Sequence, residues 1–325
     1  MTEPIKIELP TIFEAMTVNS WLIKGDENIL IDCGEKTDAA WDTLNKGLQE
    51  NGLTIQDISK VVITHAHLDH MGMANKIAQN SDATIWVSEM VYEWAINLEE
   101  LLNRRKKAFV AAIMPNITKE EYDKLHNYDH KKLSPYWDEI PEDRLHVFPM
   151  SGPIDFGGQA WEIIYTPGHC LNQTCFFQKD TGWLLSADMI LPMIPIPIID
   201  AARTPPYEGV KSLMSHLASY EKLLPLNITK AFPGHFDILE NVPNLIESQK
   251  RRIHDRKEKC FRLIQSGSSS FMELLDGVYK ERVNNATMFM VIGFLNILQS
   301  EGRIKKEMVD GKWAYFPIPV AIDAL

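Results

Sequence analysis

Apolar positions in the first ninety residues come in short bursts separated by polar turns. Ile29-Leu30-Ile31 is one run, closed by Asp32-Cys33-Gly34, and Val61-Val62-Ile63 is another, ending at Thr64. Runs of this length bounded by turn residues read as buried strands. Between them, Asp38 to Gln49 spaces its apolar residues at helical intervals. Met73 to Ile77 continues as a helix, and Ala83 to Val87 reads as the next strand. Strand and helix alternate, which predicts an α/β domain.

The pattern changes between Glu89 and Glu142. Trp94, Leu98, Leu101, Leu102, Phe109, Met114, Tyr122, Tyr128, Tyr136 and Trp137 are scattered through charged, helix-favouring sequence. This predicts two or three helices inserted between strands, serving either as plain packing or as a lid over a substrate pocket. Strands return at Leu145–Phe148, Trp161–Tyr165, Thr174–Phe177 and Trp183–Leu185; a helix over Gly209–Leu224 and a short strand over Lys230–Phe232 follow. The main-domain boundary is placed near Asn241, dividing the chain into residues 1–240 and 241–325. The second part opens with a long charged helix, Val242 to Gln265, and pauses at Ser266-Gly267-Ser268-Ser269-Ser270. Two helical stretches then run to about Ser300, and Asp310-Gly311 sits between two strand-like runs, a hairpin signal. Helices followed by a terminal hairpin predict a winged-helix-like arrangement.

Composition keeps the chain in the ordinary globular class, with 45% hydrophobic and 24% charged residues over 325 positions. The N-terminal residues do not read as a secretion signal, and the greasy stretch Ile190–Ile199 is interrupted by Pro192, Pro195 and Pro197 and is too short to span a bilayer. A cytoplasmic location without membrane attachment is the expectation. Cys33, Cys170, Cys175 and Cys260 show no CxxC spacing and are expected to be reduced thiols. A net charge of −11 disfavours nucleic acid as a partner. Residues 250–325 carry 13 Lys and Arg against 9 Asp and Glu, a net of +4, which leaves −15 for residues 1–249. That positive balance is weak for a DNA reader, so packing or dimerisation is the preferred role of the tail. The expected partner is a small-molecule substrate, with a homodimer allowed for.

Against this background one cluster stands out. His65, His67, Asp69 and His70 fall within six positions directly after an apolar strand, where a turn can aim several side chains at one point. Imidazole and carboxylate are ligands of zinc in sites that stay open for catalysis. His126, His130, His146, His216 and His254 have no accompanying motif and are read as structural.

The run Thr64-His65-Ala66-His67-Leu68-Asp69-His70 resembles the signature of the metallo-β-lactamase superfamily. Thr166-Pro167-Gly168-His169, Ala187-Asp188 and Phe232-Pro233-Gly234-His235 follow in the matching order, and Ile31-Asp32-Cys33-Gly34 resembles the early Asp-x-Gly element. The resemblance spans about residues 29–235. It implies a four-layer αββα sandwich, here with a helical insertion and a small C-terminal winged-helix-like domain. It also implies two metal ions, zinc by preference with iron or manganese as alternatives. His65, His67 and His169 would hold one ion, Asp69, His70 and His235 the other, and Asp188 would bridge them. The implied nucleophile is a bridging hydroxide, with Asp69 orienting it or passing its proton to the leaving group. Asp32 is expected to hydrogen-bond behind the ligands, and Cys170 to point elsewhere. Cys33 and Ser186 depart from the common residues at their positions without removing a ligand.

The superfamily's chemistry is broad, so the bond attacked has to be argued by elimination. A secreted β-lactamase is disfavoured by the missing export signal, and a flavoprotein-type di-iron oxidoreductase would carry Glu at position 67. A glutathione-thioester hydrolase would show basic motifs that the tail lacks. The favoured reading is hydrolysis of a small ester, thioester or lactone. The Glu89–Glu142 insertion and the Ile190–Tyr207 segment would enclose an apolar acyl portion, and Met193, Ile194, Ile196, Ile198 and Ile199 suit either that role or core packing. Alternatives are a phosphodiesterase or ribonuclease, an iron-dependent sulfur dioxygenase and a winged-helix DNA-binding regulator.

Overall fold

The computed structural model describes residues 2–12, 17–125, 134–203, 211–280 and 283–319. Two six-stranded sheets organise it. The first runs β1 (Ile5–Pro10), β2 (Thr17–Ile23), β3 (Asn28–Ile31), β4 (Ile58–Val62), β5 (Thr84–Ser88), β6 (Leu145–Phe148), antiparallel up to β3 and parallel from β3 to β6. The second contains β7 (Ser151–Asp155), β8 (Ala160–Tyr165), β9 (Thr174–Gln178), β10 (Trp183–Ala187), β11 (Lys230–Pro233) and β12 (Leu239–Glu240) in sequential order, with β10 and β11 parallel. The expected strands are present; β1, β2, β7 and β12 add to them.

Side-chain alternation along each strand explains why the sheets stack. In β3, Ile29 and Ile31 enter the layer between the sheets with Trp21, Phe148, Trp161, Phe176 and Phe232, whereas Leu30 faces the other way. In β10, Leu185 faces inward and Leu184 outward. Both faces of these strands are buried, which accounts for continuous apolar runs in place of strict alternation with polar residues. The outer face of the first sheet is covered by α1 (Asp38–Glu50), α3 (Ala74–Asn80) and α4 (Glu89–Ile96), and that of the second by α7 (Ser212–Leu223) and the start of α8 (Val242–Gln265). Helix, sheet, sheet and helix form four layers. Local chemistry sets the helix ends: Thr37 caps α1 by accepting from the Ala40 N–H.

The insertion contains α4, α5 (Leu98–Ile113) and α6 (Lys119–Leu125). Tyr128, His126 and His130 lie outside the described residues. After α8 come α9 (Phe271–Tyr279), α10 (Asn285–Ser300) and the hairpin β13 (Ile304–Val309) and β14 (Lys312–Pro317). Capping boxes start α9 at Ser270/Glu273 and α10 at Asn284/Thr287. Asp310 and Gly311 both take positive φ, as the two-residue turn requires.

The tail and the insertion share one apolar cluster. Phe109, Ile113 and Ile117 pack with Ile253, Phe271, Phe294, Leu298 and Tyr315. The Trp313 N–H donates to the Pro115 carbonyl at 2.7 Å, the Tyr315 hydroxyl to Asn116 Oδ1 at 2.6 Å, and Lys312 Nζ to the Ile117 carbonyl. Helix α8 links this cluster to the sandwich, since Val242 and Ile246 pack on the second sheet and Ile253, Cys260 and Ile264 in the tail.

Candidate metal centre

The seven expected residues converge at the carboxyl ends of the parallel strands, where open α/β sheets commonly form their sites. His65 and His67 follow β4, and Asp69 and His70 lie in the single turn α2 (Leu68–Met71). His169 sits in the β8–β9 connection, Asp188 directly after β10 and His235 just after β11. The register of β10 against β11 shifts between Leu185 and Ala187, and Ala187 has φ of +43°, so the chain turns sharply as it presents Asp188. Gly234 is needed opposite: a Cβ there would lie 2.3 Å from Asp188 Oδ1 and 2.6 Å from His70 Cε1.

Every imidazole has one nitrogen turned to the centre. His65 Nε2 and His169 Nε2 lie 3.0 and 2.9 Å from His67 Nδ1. His169 Nε2 is also 3.3 Å from Asp188 Oδ2, His235 Nε2 is 3.4 Å from both Asp188 Oδ2 and Asp69 Oδ2, and His70 Nε2 is 3.6 Å from Asp188 Oδ1. The opposite nitrogens are held by fixed acceptors. His169 Nδ1 donates to the Ile196 carbonyl at 2.9 Å, and His235 Nδ1 to the Thr17 carbonyl at 2.6 Å. His70 Nδ1 donates to Asp32 Oδ2 at 2.7 Å. Thr64 Oγ1 gives its own proton to Asp32 Oδ2 at 2.8 Å, so it accepts from His65 Nδ1 at 3.0 Å. With these protons outside, the inner nitrogens present lone pairs.

That arrangement cannot be satisfied by protein hydrogen bonds alone. Three ring nitrogens of His65, His67 and His169 meet with at most one proton from His67 to share among them. His70 Nε2 and Asp188 Oδ1 are buried with no hydrogen-bond partner among the described residues. The potential ligand atoms group as His65, His67, His169 and Asp188 on one side and Asp69, His70 and His235 on the other, each set within 4.8 Å. The donor set therefore fits divalent cations. The proton equilibria show the same demand. Burial is the largest influence on His70 and His235 and opposes charge, but the carboxylates together overcome it: Asp188, Asp32 and Asp69 raise His70 well above the usual histidine range, and Asp188 and Asp69 raise His235 to about 10, so the site draws protons where a cation is not supplied. Burial and neighbouring imidazoles push His65 and His67 down. Burial opposes ionisation of Asp188 as well, but His235 and His70 hold it well below the usual carboxylate range.

Asp32 also falls within reach of His65 and His70. Its two oxygens are taken by Thr64 N at 2.9 Å, Thr64 Oγ1 and His70 Nδ1, which places it behind the ligand atoms. It adopts φ of +59°, a left-handed strain located at the site. Cys170 Sγ points to Asn172 Oδ1 at 3.1 Å, and burial raises its pKa far above the usual thiol value. His146 is exposed and stacks on Trp86, His254 is exposed, and His216 is buried against Tyr220.

A cavity of about 320 Å³ opens on the cluster. Leu68, Leu102, Phe109, Trp137, Ile196, Ile198, Ile199 and Phe289 supply apolar walls, and His67, Asp69, His169, Asp188 and His235 one end of the lining. Of the Ile190–Tyr207 segment, Ile196, Ile198 and Ile199 line the cavity; Ile194 packs on the tail cluster and Met193 is 51% exposed. Several contributors carried no sequence signal. Arg105 pairs with Asp200 at 2.6 Å, lies over the Trp94 ring and reaches 3.5 Å from His67 Nε2. Asp200 also accepts the Leu171 N–H, and Asn172 accepts the Ala66 N–H, which ties the His169 loop to its neighbours. Asn285 and Phe289 come from the tail.

Comparison with known proteins agrees with this geometry. The chain matches the Metallo-beta-lactamase superfamily profile over residues 14–235. It is 27% identical over 319 residues to "Probable metallo-hydrolase YqjP" of Bacillus subtilis, covering 96% of this chain and 97% of that protein. It is 23% identical over 305 residues to "Beta-lactamase-like protein 2 homolog" of Drosophila melanogaster, covering 91% and 87%. Among solved structures, a metallo-beta-lactamase family protein from Thermus thermophilus superposes with a TM-score of 0.76 at 21% identity, covering 97% of this chain and 98% of that one. Among the described residues no helix is long and apolar enough to cross a membrane. With a profile match running from the first sheet to His235, and with the histidines and aspartates of that stretch gathered at one point, the chain belongs to the metallo-beta-lactamase superfamily.

Proposed function

We propose that this chain is a dinuclear metal-dependent hydrolase acting on a small ester or thioester, lactones included, with an apolar acyl portion. The observation that carries the reading is the cavity itself: its walls are mainly aliphatic and aromatic, with Arg105, Lys106 and Asn285 the polar members, and the histidine and aspartate cluster forms part of its lining. An acyl chain seated against Ile196, Ile198, Ile199 and Phe109 would bring its carbonyl to that cluster.

His65, His67 and His169 would hold one ion, Asp69, His70 and His235 the other, with Asp188 shared between them. Imidazole and carboxylate donors favour zinc, and iron or manganese accept the same set. When bound, such a pair of ions supplies a water ionised at neutral pH and polarises the substrate carbonyl. The protein's part is orientation. The Thr17 and Ile196 carbonyls, Thr64 and Asp32 fix four rings so that little reorganisation accompanies the reaction. Asp69 Oδ2 faces the same space as Asp188 and His235. It is placed to take the remaining proton of the attacking hydroxide once the new C–O bond has formed. It would return that proton to the departing sulfur or oxygen as the old bond breaks. We read residues 241–325 as a winged-helix-like unit that serves this site and not nucleic acid.

Metal analysis coupled to a panel of esters, thioesters, lactones and phosphodiesters tests the proposal. Close to two ions per chain, with turnover confined to acyl compounds, is the expected result. Turnover of phosphodiesters alone would overturn it, as would full activity without bound metal.

A further inference from the structure

Helix α10 reaches the cavity from a segment beyond the superfamily match, which ends at residue 235. Asn285 and Phe289 are four residues apart, so they share one face of the helix, and both line the cavity. On the facing wall Leu102, Arg105, Lys106 and Phe109 occupy one stripe of α5. The two walls meet where Phe289 and Phe109 pack edge to face, with ring centroids 5.6 Å apart and planes at 90°.

Both helices are held in register. On α10, Gly293 lets the helix approach α7 so closely that a Cβ would stand 2.6 Å from the Leu213 side chain. The hydrogen bonds from Trp313 and Tyr315 to Pro115 and Asn116 fix the end of α5 against the hairpin. Position is therefore set by the fold, and the side chains on these stripes that reach the cavity shape what it can enclose. Asn285 is unusual among them: the half-buried residue lines the cavity, and its Oδ1 is shielded without a hydrogen-bond partner among the described residues, so a turn of the amide would offer it to a ligand. An unpaired acceptor in such surroundings is unfavourable unless a ligand supplies the donor.

We propose that α10 completes the substrate site, Phe289 gauging the length of the acyl chain and Asn285 receiving a hydrogen-bond donor carried on it. This rests on the ester or thioester reading and sharpens it. The substrate class becomes a medium-length acyl thioester or ester bearing a hydroxyl or amide N–H. The cavity's volume of about 320 Å³ and its walls at Phe109 and Phe289 make acyl-chain length a property the site can discriminate.

The test uses the metal-loaded full chain and two measurements. One is kcat/KM over a series of straight-chain acyl thioesters of increasing length, each with and without a hydroxyl substituent. The other is calorimetric binding of the corresponding carboxylates, which does not depend on turnover. Phe289→Ala is expected to shift both optima to longer chains, with roughly tenfold loss for the length the unaltered protein prefers. Phe289→Trp should shift them to shorter ones and guards against a folding defect in the alanine variant. Asn285→Leu should cut the preference for hydroxylated chains roughly tenfold. Length and hydroxyl preferences unchanged in all three folded variants would overturn the proposal while leaving the esterase reading intact. Absence of ester and thioester turnover, with carboxylate binding that still shifts with residue 289, would remove that reading and keep α10 as the gauge. Neither turnover nor binding in the unaltered chain would remove both.

Discussion

The two ends of the cavity are built by opposite means. At the metal end, side chains are fixed by polar contacts to groups that cannot move far: the Thr17 and Ile196 carbonyls, the Asp32 carboxylate and the Thr64 hydroxyl each hold the outer nitrogen of a ring. At the apolar end, Leu102 and Phe109 of α5, Phe289 of α10 and Trp137 of the segment before β6 are held by packing between parts of the chain distant in sequence. A polar network tolerates little displacement, whereas an apolar wall accepts substitutions of similar volume. The chemistry should therefore be brittle and the selectivity adjustable within one cavity.

The largest expected effect lies at the brittle end. Asp188→Ala removes a buried carboxylate that approaches His70, His169 and His235, and with it the anionic donor that the three rings share. Metal content should fall below two ions per chain and hydrolysis by on the order of 10³-fold, read by elemental analysis and turnover. Retention of both would detach Asp188 from the site. The seam between the ends comes next. Asp200 is paired with Arg105, both largely buried, and joins α5 to the His169 loop through the Leu171 N–H. Asp200→Ala takes away the carboxylate 2.6 Å from a largely buried guanidinium, so it should lower unfolding stability by roughly 3–5 kcal/mol. Removing both partners should cost less than removing Asp200 alone, and equal losses in denaturant titrations would contradict the ion-pair account.

Asp32 has a smaller effect because it acts through His70 and Thr64. Asp32→Asn keeps a side chain that tolerates the left-handed backbone while removing the charge and turning one acceptor into a donor. Metal binding is expected to weaken by roughly 10–100-fold, measured by chelator competition. Unchanged affinity would show that hydrogen bonding from His70 does not tune the centre.

The contrast also explains what is legible in the sequence. Ile29–Ile31 and Val61–Ile63 read as strands because both faces are buried, and the residues after Ile63 read as ligands because a strand end and a tight turn keep them adjacent in sequence and in space. His169, Asp188 and His235 are placed by resemblance in short flanking motifs. Strand β7 escapes because Ser151-Gly152-Pro153-Ile154-Asp155 is polar and partly exposed, and it carries a proline. The cavity wall escapes for a different reason. Phe109 and Phe289 are 180 positions apart, and an aromatic on a helix looks the same whether it fills a core or faces a substrate. Arg105 and Asp200 are equally silent, since an ion pair between remote segments leaves no local pattern. Packing and lid are both open roles for the insertion at sequence level; its helix α5 does line the cavity, together with the tail.

The smallest effect sharpens the comparison from the side of the tail. Arg303 donates to both oxygens of Glu258 at 2.6 and 2.8 Å, linking α8 to the start of the hairpin. Those hydrogen bonds, against a weaker penalty from burial, hold the Glu258 pKa at about 2, below its ordinary 4.5. A carboxylate depressed in the folded state stabilises fully above its unfolded pKa, and the contribution fades as pH falls from 4.5 toward 2. The pair is partly open to solvent, so screening limits it to about 1 kcal/mol or less. Glu258→Gln should then lower the melting temperature by about 2 °C at pH 7. The gap from the unaltered chain should narrow as the scan is repeated below pH 4.5. Because Glu258 lies outside the cavity lining, its substitution should leave unchanged the acyl-length preference proposed for the Phe289 and Phe109 wall. A shifted preference would mean that the wall depends on the tail's electrostatics as well as on its packing.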